Sequence, residues 1–133
     1  MPVHLDHTIV AATDAEVSAR WYADVLGLDA PVRFGPFWQI TTANGVNLDF
    51  DDDDFDDDDG RTTIPPRHFA FLITEGEFDA VFGRITARGI EHFADPMGRR
   101  RGEINRNDGG RGAYFPDPDG HWLEIITRPY GAG

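Results

Sequence analysis

The chain has no cysteine, which excludes disulfides, thiolate-held metals and a cysteine nucleophile. It has no apolar run approaching the ~20 residues that cross a bilayer. Its opening, MPVHLDHTIV, lacks the basic start and small-residue cleavage site of a secretion signal. These absences lead us to expect a cytoplasmic protein with no membrane partner. Cations are outnumbered too: 12 Lys and Arg stand against 24 Asp and Glu, a formal net charge of −12. Nucleic acid is therefore not an expected partner. Much of that charge is local. Asp51–Asp54 and Asp56–Asp59 lie in one run, DDDDFDDDDG, and without those eight acids the balance is −4. Like charges packed this densely repel, so the run reads as a solvated linker.

What is present suffices for a core. The 133 residues are 40% apolar and 12% aromatic, which suits one ordinary domain. Within it a grammar repeats. LDHTIVAATDAE (5–16) and PRHFAFLITEGE (66–77) each place a His early in a β-rich run, a Thr six residues later and a Glu three after that. The Thr-x-x-Glu pattern is a capping box, so each half is expected to run strand, cap, helix. Val17, Trp21, Val25 and Leu28 fall at helical spacing, as do Phe78, Val81, Phe82 and Ile85, and the helices are expected to end at Gly27 and Gly89.

Shorter β-like runs follow each helix. They are PVRFG, FWQITT and, past Asn44-Gly45, VNLDF (46–50); then EHFADP, GAYFP and, past Asp119-Gly120, HWLEIIT (121–127). The expected fold class is α+β: two βαβββ modules, residues 3–50 and 65–128, joined by the acidic linker 51–64. The modules are expected to pair as a half-barrel mixed sheet around a cleft.

The last strands align as Gly-x-x-Leu-acid-apolar, which sets Asp49 opposite Glu124. Each half thus supplies a His and an acid: His7 with Asp49, His68 with Glu124. A carboxylate in an apolar strand is costly unless paired or coordinated. Imidazole and carboxylate without thiolate suit one divalent ion, Zn, Fe(II), Mn, Ni or Co, with positions left open for a small-molecule substrate. Phe34, Phe37 and Trp38 are candidates for an apolar wall beside it. Arg99, Arg100, Arg101, Arg106 and Arg111 are candidates for a basic lip suited to an anionic substrate. The glycines among residues 98–112 suit a lid. His4, His92 and His121 have no repeat partner and are given no chemistry.

LDHTIV, WYADVLGL, HFAFLI and above all YFPDPDGHWLEI resemble the vicinal oxygen chelate superfamily. This superfamily groups glyoxalase I, fosfomycin-resistance transferases, extradiol dioxygenases, methylmalonyl-CoA epimerase and bleomycin-resistance proteins. The resemblance implies the paired βαβββ fold, a metal in the cleft, and vicinal substrate oxygens chelated to it with an enolate or oxyanion stabilised. Isomerase, lyase and dioxygenase chemistry all fit. Ligand roles carry onto His7, His68 and Glu124. Glyoxalase-like members usually have Glu or Gln where this chain has Asp49, so Asp49 is a candidate for a fourth ligand or a catalytic group. NRNDGGRGAY (105–114) is similar to the extradiol dioxygenases at Asn107, Asp108 and Tyr114, with Asn105 standing where they have His. Tyr114 is the candidate donor to a metal-bound oxygen, and Trp38, Asn105, Asn107 and Arg111 are the candidate substrate contacts. Short members of the superfamily are often homodimers, which is the expectation here. The alternative reading is a metal-free, drug-sequestering protein of the bleomycin-resistance type.

Overall fold

A computed structural model describes residues 2–53 and 64–131. The chain divides into two compact units, Met1–Ile64 and Pro65–Gly133, and the class is α+β with one mixed sheet in each.

The first unit runs β1 (His7–Ala11), α1 (Ala15–Leu26), β2 (Val32–Phe34), β3 (Phe37–Thr41) and β4 (Asn47–Asp51), in sheet order β1-β4-β3-β2. This is the expected βαβββ module. β1 and β4 are parallel, and the other pairs are antiparallel. Alternation along the strands separates two faces. Val10, Ile40, Leu48 and Phe50 are buried, and Tyr22 of α1 packs edge-on to Phe50 with ring centroids 4.8 Å apart. Full burial of Phe50 contributes about 1.5–3 kcal/mol. His7, Gln39 and Asp49 stand on the opposite face.

α1 differs from expectation at its start. The N-cap is Asp14, whose carboxylate accepts from Val17 N–H at 3.1 Å, one residue beyond the expected Thr13. The helix presents Ala15, Ser18, Ala19, Tyr22, Ala23 and Val25 to the core, while Val17 is exposed. Small residues let the helix lie close to the sheet, so they take the inner face in place of Val17. Its end is as expected, at Gly27 in the left-handed region (φ 73°). The acidic run also begins inside the fold. Asp51 closes β4, and the Asp52 carboxylate accepts from Ala15 N–H at 2.9 Å, satisfying a donor that a helix N-terminus leaves open. The rest of the expected linker, Asp54 to Thr63, lies outside the described residues.

The second unit runs β5 (His68–Leu72), α2 (Glu75–Ala87), a 3-10 turn (Asn107–Gly109), β6 (Gly112–Pro116) and β7 (Trp122–Ile126). The sheet order is β5-β7-β6, with β5 and β7 parallel. Thr74 caps α2, accepting from Glu77 N–H at 3.1 Å, as expected. Phe78, Val81 and Ile85 are buried, as are Ala113, Phe115, Leu123 and Ile125 on one sheet face.

EHFADP does not become a strand. Phe93 makes isolated bridges to Arg101 and Tyr114, because the Asp95 carboxylate turns the chain away by accepting from Arg99 and Arg100 N–H groups. The glycine-rich insertion is tied down by further backbone bonds, including Gly102 N–H to His92 and paired bonds between Asn105 and Gly112. The Asp119-Gly120 turn forms as expected. Gly120 has φ 89°, and Asp117 accepts from His121 N–H at 2.7 Å.

Candidate metal centre

The two units place their His and acid in the same register. His7 is opposite Asn47 and Ile9 opposite Asp49; His68 is opposite Trp122 and Ala70 opposite Glu124. In both cases the acid faces the residue two beyond the His, on the neighbouring parallel strand. The two side chains therefore project from one face of their sheet.

In the second unit the pair meets. His68 Nε2 lies 3.1 Å from Glu124 Oε1, and His68 Nδ1 lies 2.9 Å from the Trp122 carbonyl oxygen. A carbonyl only accepts, so Nδ1 carries the hydrogen. In the neutral ring Nε2 is then a lone pair aimed at a carboxylate oxygen. Two acceptors facing each other need a proton or a cation between them. An Nδ1–H anchored on a carbonyl is also how a metal-ligating imidazole is normally oriented. Glu124 is buried while the His68 side chain is about half exposed, so the pair is open on the imidazole side.

Tyr114 completes this set. It is opposite Glu124 on β6 and buried. Burial, followed by its hydrogen bond to Glu124 and the charge of that carboxylate, raises the phenol well above its ordinary value of 10.0. It therefore stays a protonated donor throughout the neutral range. The Tyr114 ring stacks with the rings of His68 (6.0 Å) and Trp122 (6.2 Å), and among the described residues the buried Trp122 Nε1 has no hydrogen-bond partner.

In the first unit Asp49 is buried and accepts from Gln39 Nε2 at 2.8 Å. Gln39 stands ten residues before Asp49, as Tyr114 does before Glu124, and neither the glutamine nor the match was anticipated. That common spacing was the signal available. His7 is half exposed and bonds Asp6 at 2.7 Å. The Asp6 hydrogen bond raises its pKa above 6.5, outweighing the lowering by burial, and the charges of Asp6 and Asp49 add to the rise. Among the described residues, no three His, Asp or Glu side chains converge as a ligand cluster.

The expected substrate contacts divide. Trp38 stands on the α1 face of its sheet, opposite the face of Asp49, with the Arg20 and Arg33 guanidiniums 5.7 and 5.8 Å from its ring. It shares no surface with that acid. Asn105, Asn107, Arg111 and Glu124 do come together, lining a small cavity with Arg128 and Tyr130. Two of the expected substrate contacts are already engaged through their side chains. Asn105 is buried, donates to the Ala94 carbonyl and accepts from Asn107 N–H. Arg111 binds Glu75 at 2.7 Å and Asp79 at 2.8 Å, with its guanidinium 4.4 Å from the Phe78 ring centroid. The expected basic lip is partly neutralised as well, Arg100 pairing with Glu103 and Arg101 with Glu91. His121, given no chemistry, is buried and accepts from Arg67 N–H.

The Glyoxalase/Bleomycin resistance protein/Dioxygenase superfamily profile matches residues 4–125. The chain belongs to this superfamily. Among solved structures it is similar to the Oxidase ChaP-H1, 56% identical with a TM-score of 0.87 over 97% of this chain and 98% of that one. It is also similar to the Oxidase ChaP-H2, 54% identical with a TM-score of 0.91 over 100% of both chains. A curated relative is Metallothiol transferase FosB of Shouchella clausii (strain KSM-K16), 28% identical over 127 residues, 92% of this chain and 79% of the relative. Superfamily membership agrees with the resemblance read from YFPDPDGHWLEI. The specific reaction differs among these relatives, as expected of a fold that hosts several chemistries.

Proposed function

We propose that this chain is a metal-dependent oxidase of the vicinal oxygen chelate type, oxidising a small organic substrate with dioxygen. The metal assignment rests on His68 Nε2 facing Glu124 Oε1 at 3.1 Å with Nδ1 anchored on a carbonyl. The oxidase class rests on identity above half, over the whole length, to two structures named as oxidases. His68 and Glu124 are proposed ligands, His7 a third, and Asp49 a candidate fourth. Asp49 already accepts from Gln39, and aspartate is one methylene shorter than glutamate. The bound ion would supply Lewis acidity and bring substrate oxygens and dioxygen together.

The protein's own groups do the rest. Trp122 C=O fixes the His68 ring. Tyr114, held protonated, donates to Glu124 and limits its rotation. Asn107 borders the cavity in which a substrate would sit. A homodimer is proposed from the superfamily's habit. A second reading is thiol transfer, supported by the 28% identical metallothiol transferase, and it ranks behind because that likeness is about half as strong.

The test is metal content of untagged protein, wild type against Glu124→Ala, followed by dioxygen uptake with a catechol probe. About one equivalent of metal per chain, lost in the variant, and uptake that depends on it would support the oxidase. Metal without uptake, but with thiol consumption, would favour the second reading. Failure to bind any of the five candidate ions would sink both.

A further inference from the structure

We propose that Arg128 gives the cavity beside Glu124 its selectivity, recognising an anionic oxygen substituent of the substrate; this rests on Glu124 being the metal-facing acid. The charges around the cavity are unevenly committed. Of its two arginines, Arg111 is bound by Glu75 and Asp79. The Asp108 carboxylate accepts from Gly131 N–H at 3.2 Å, and Glu124 meets His68 and Tyr114. Arg128 makes no hydrogen bond or ion pair among the described residues. Among the described residues it is the one arginine of the cavity without an acid partner.

Its position is built, although the side chain is solvent-exposed. A Cβ on Gly110 would fall 2.7 Å from Arg128 Cγ, and one on Gly109 would fall 3.8 Å from Nη1. The arginine stem therefore lies along the Gly109-Gly110 backbone, in room that only glycine leaves. The segment carrying it is anchored on both sides. Thr127 donates its N–H to the Arg111 carbonyl at 3.0 Å and its hydroxyl oxygen accepts from Arg111 N–H at 2.8 Å, and Gly131 is tied to Asp108. Pro129 further restricts the Arg128 backbone. Arg128 thus lines, together with Glu124 and Asn107, one small cavity. A substrate chelated through two oxygens near Glu124 would place a remote carboxylate against a planar five-donor cation.

The experiment uses the full chain loaded with redox-inert Zn(II). Calorimetry gives the dissociation constants of 3,4-dihydroxybenzoate and its uncharged amide, 3,4-dihydroxybenzamide. Wild type is expected to favour the carboxylate by about fivefold, as suits one exposed charge pair, with the preference shrinking between about 0.05 and 0.5 M salt. Arg128→Gln is expected to bring the ratio to about one, and Arg128→Lys to restore part of it. Glu124→Gln is expected to weaken both probes equally. A Glu124→Gln variant with unchanged affinities would overturn the metal reading, whereas the Arg128 inference is judged on the ratio. That inference falls if wild type does not discriminate, if Arg128→Gln keeps the ratio, or if the carboxylate does not bind at millimolar concentration.

Discussion

Replacing Glu124 by Gln should separate the fold's needs from the metal's. In the metal-free protein, the buried Glu124 carboxylate lies 3.1 Å from His68 Nε2, whose lone pair it can meet only across a shared proton. A glutamine amide in its place donates to that lone pair and removes a buried charge. The metal-free variant should therefore be as stable as wild type, or more stable by about 1 kcal/mol. Metal should invert the ranking. A ligand at a thousand times its dissociation constant stabilises the folded state by about 4.1 kcal/mol. For 133 residues, an unfolding entropy of roughly 2.1 cal/mol/K per residue gives roughly 0.28 kcal/mol/K, hence a rise of roughly 15 °C in Tm. Calorimetric melts with and without added ion measure both quantities. The reasoning fails if the variant keeps the metal-dependent rise. It also fails if the metal-free variant melts more than about 5 °C below wild type, because Glu124 would then be holding the fold rather than an ion.

Three further outcomes follow from the same geometry. Gly110→Ala forces a methyl against Thr127 and Arg128; denaturant melts should show a loss of about 1–3 kcal/mol, and the carboxylate preference should fall with it. Glu75 is held below 4.5 by its hydrogen bonds to Thr127 and then Arg111, against a smaller effect of burial. Its contribution is therefore complete above pH 4.5 and lost as pH falls, so the Tm gap between wild type and Arg111→Met should be constant near neutrality and close in acid. A gap that persists to the lowest pH would contradict this. The His7 pKa is raised chiefly by Asp6, so Asp6→Asn should lower its midpoint in a proton NMR titration of metal-free protein. The stability difference should be present below pH 6.5 and vanish as pH rises past the folded-state midpoint.

The local grammar of this protein was legible from its residues because it depends on neighbours in sequence. Thr74-x-x-Glu77 capped α2, Gly27 and Gly120 took positive φ, and matched His and acid positions gave the equivalence that strand register bears out. Errors arose where a competing local hydrogen bond, at Asp14 or Asp95, or packing of the helix on the sheet outweighed the expected preference. Asp14 displaced Thr13 as cap, small residues displaced Val17 from the inner face, and Asp95 turned EHFADP out of the sheet. The candidate site divides in the same way. Residue type and spacing picked out His68, Glu124 and Tyr114, since alternate strand positions share a face whatever the rest of the chain does. Only the tertiary structure decided that, among the described residues, Arg111 is occupied by α2 acids while Arg128 is not. Which charges neutralise each other depends on distances between residues far apart in sequence, and neither composition nor spacing encodes them.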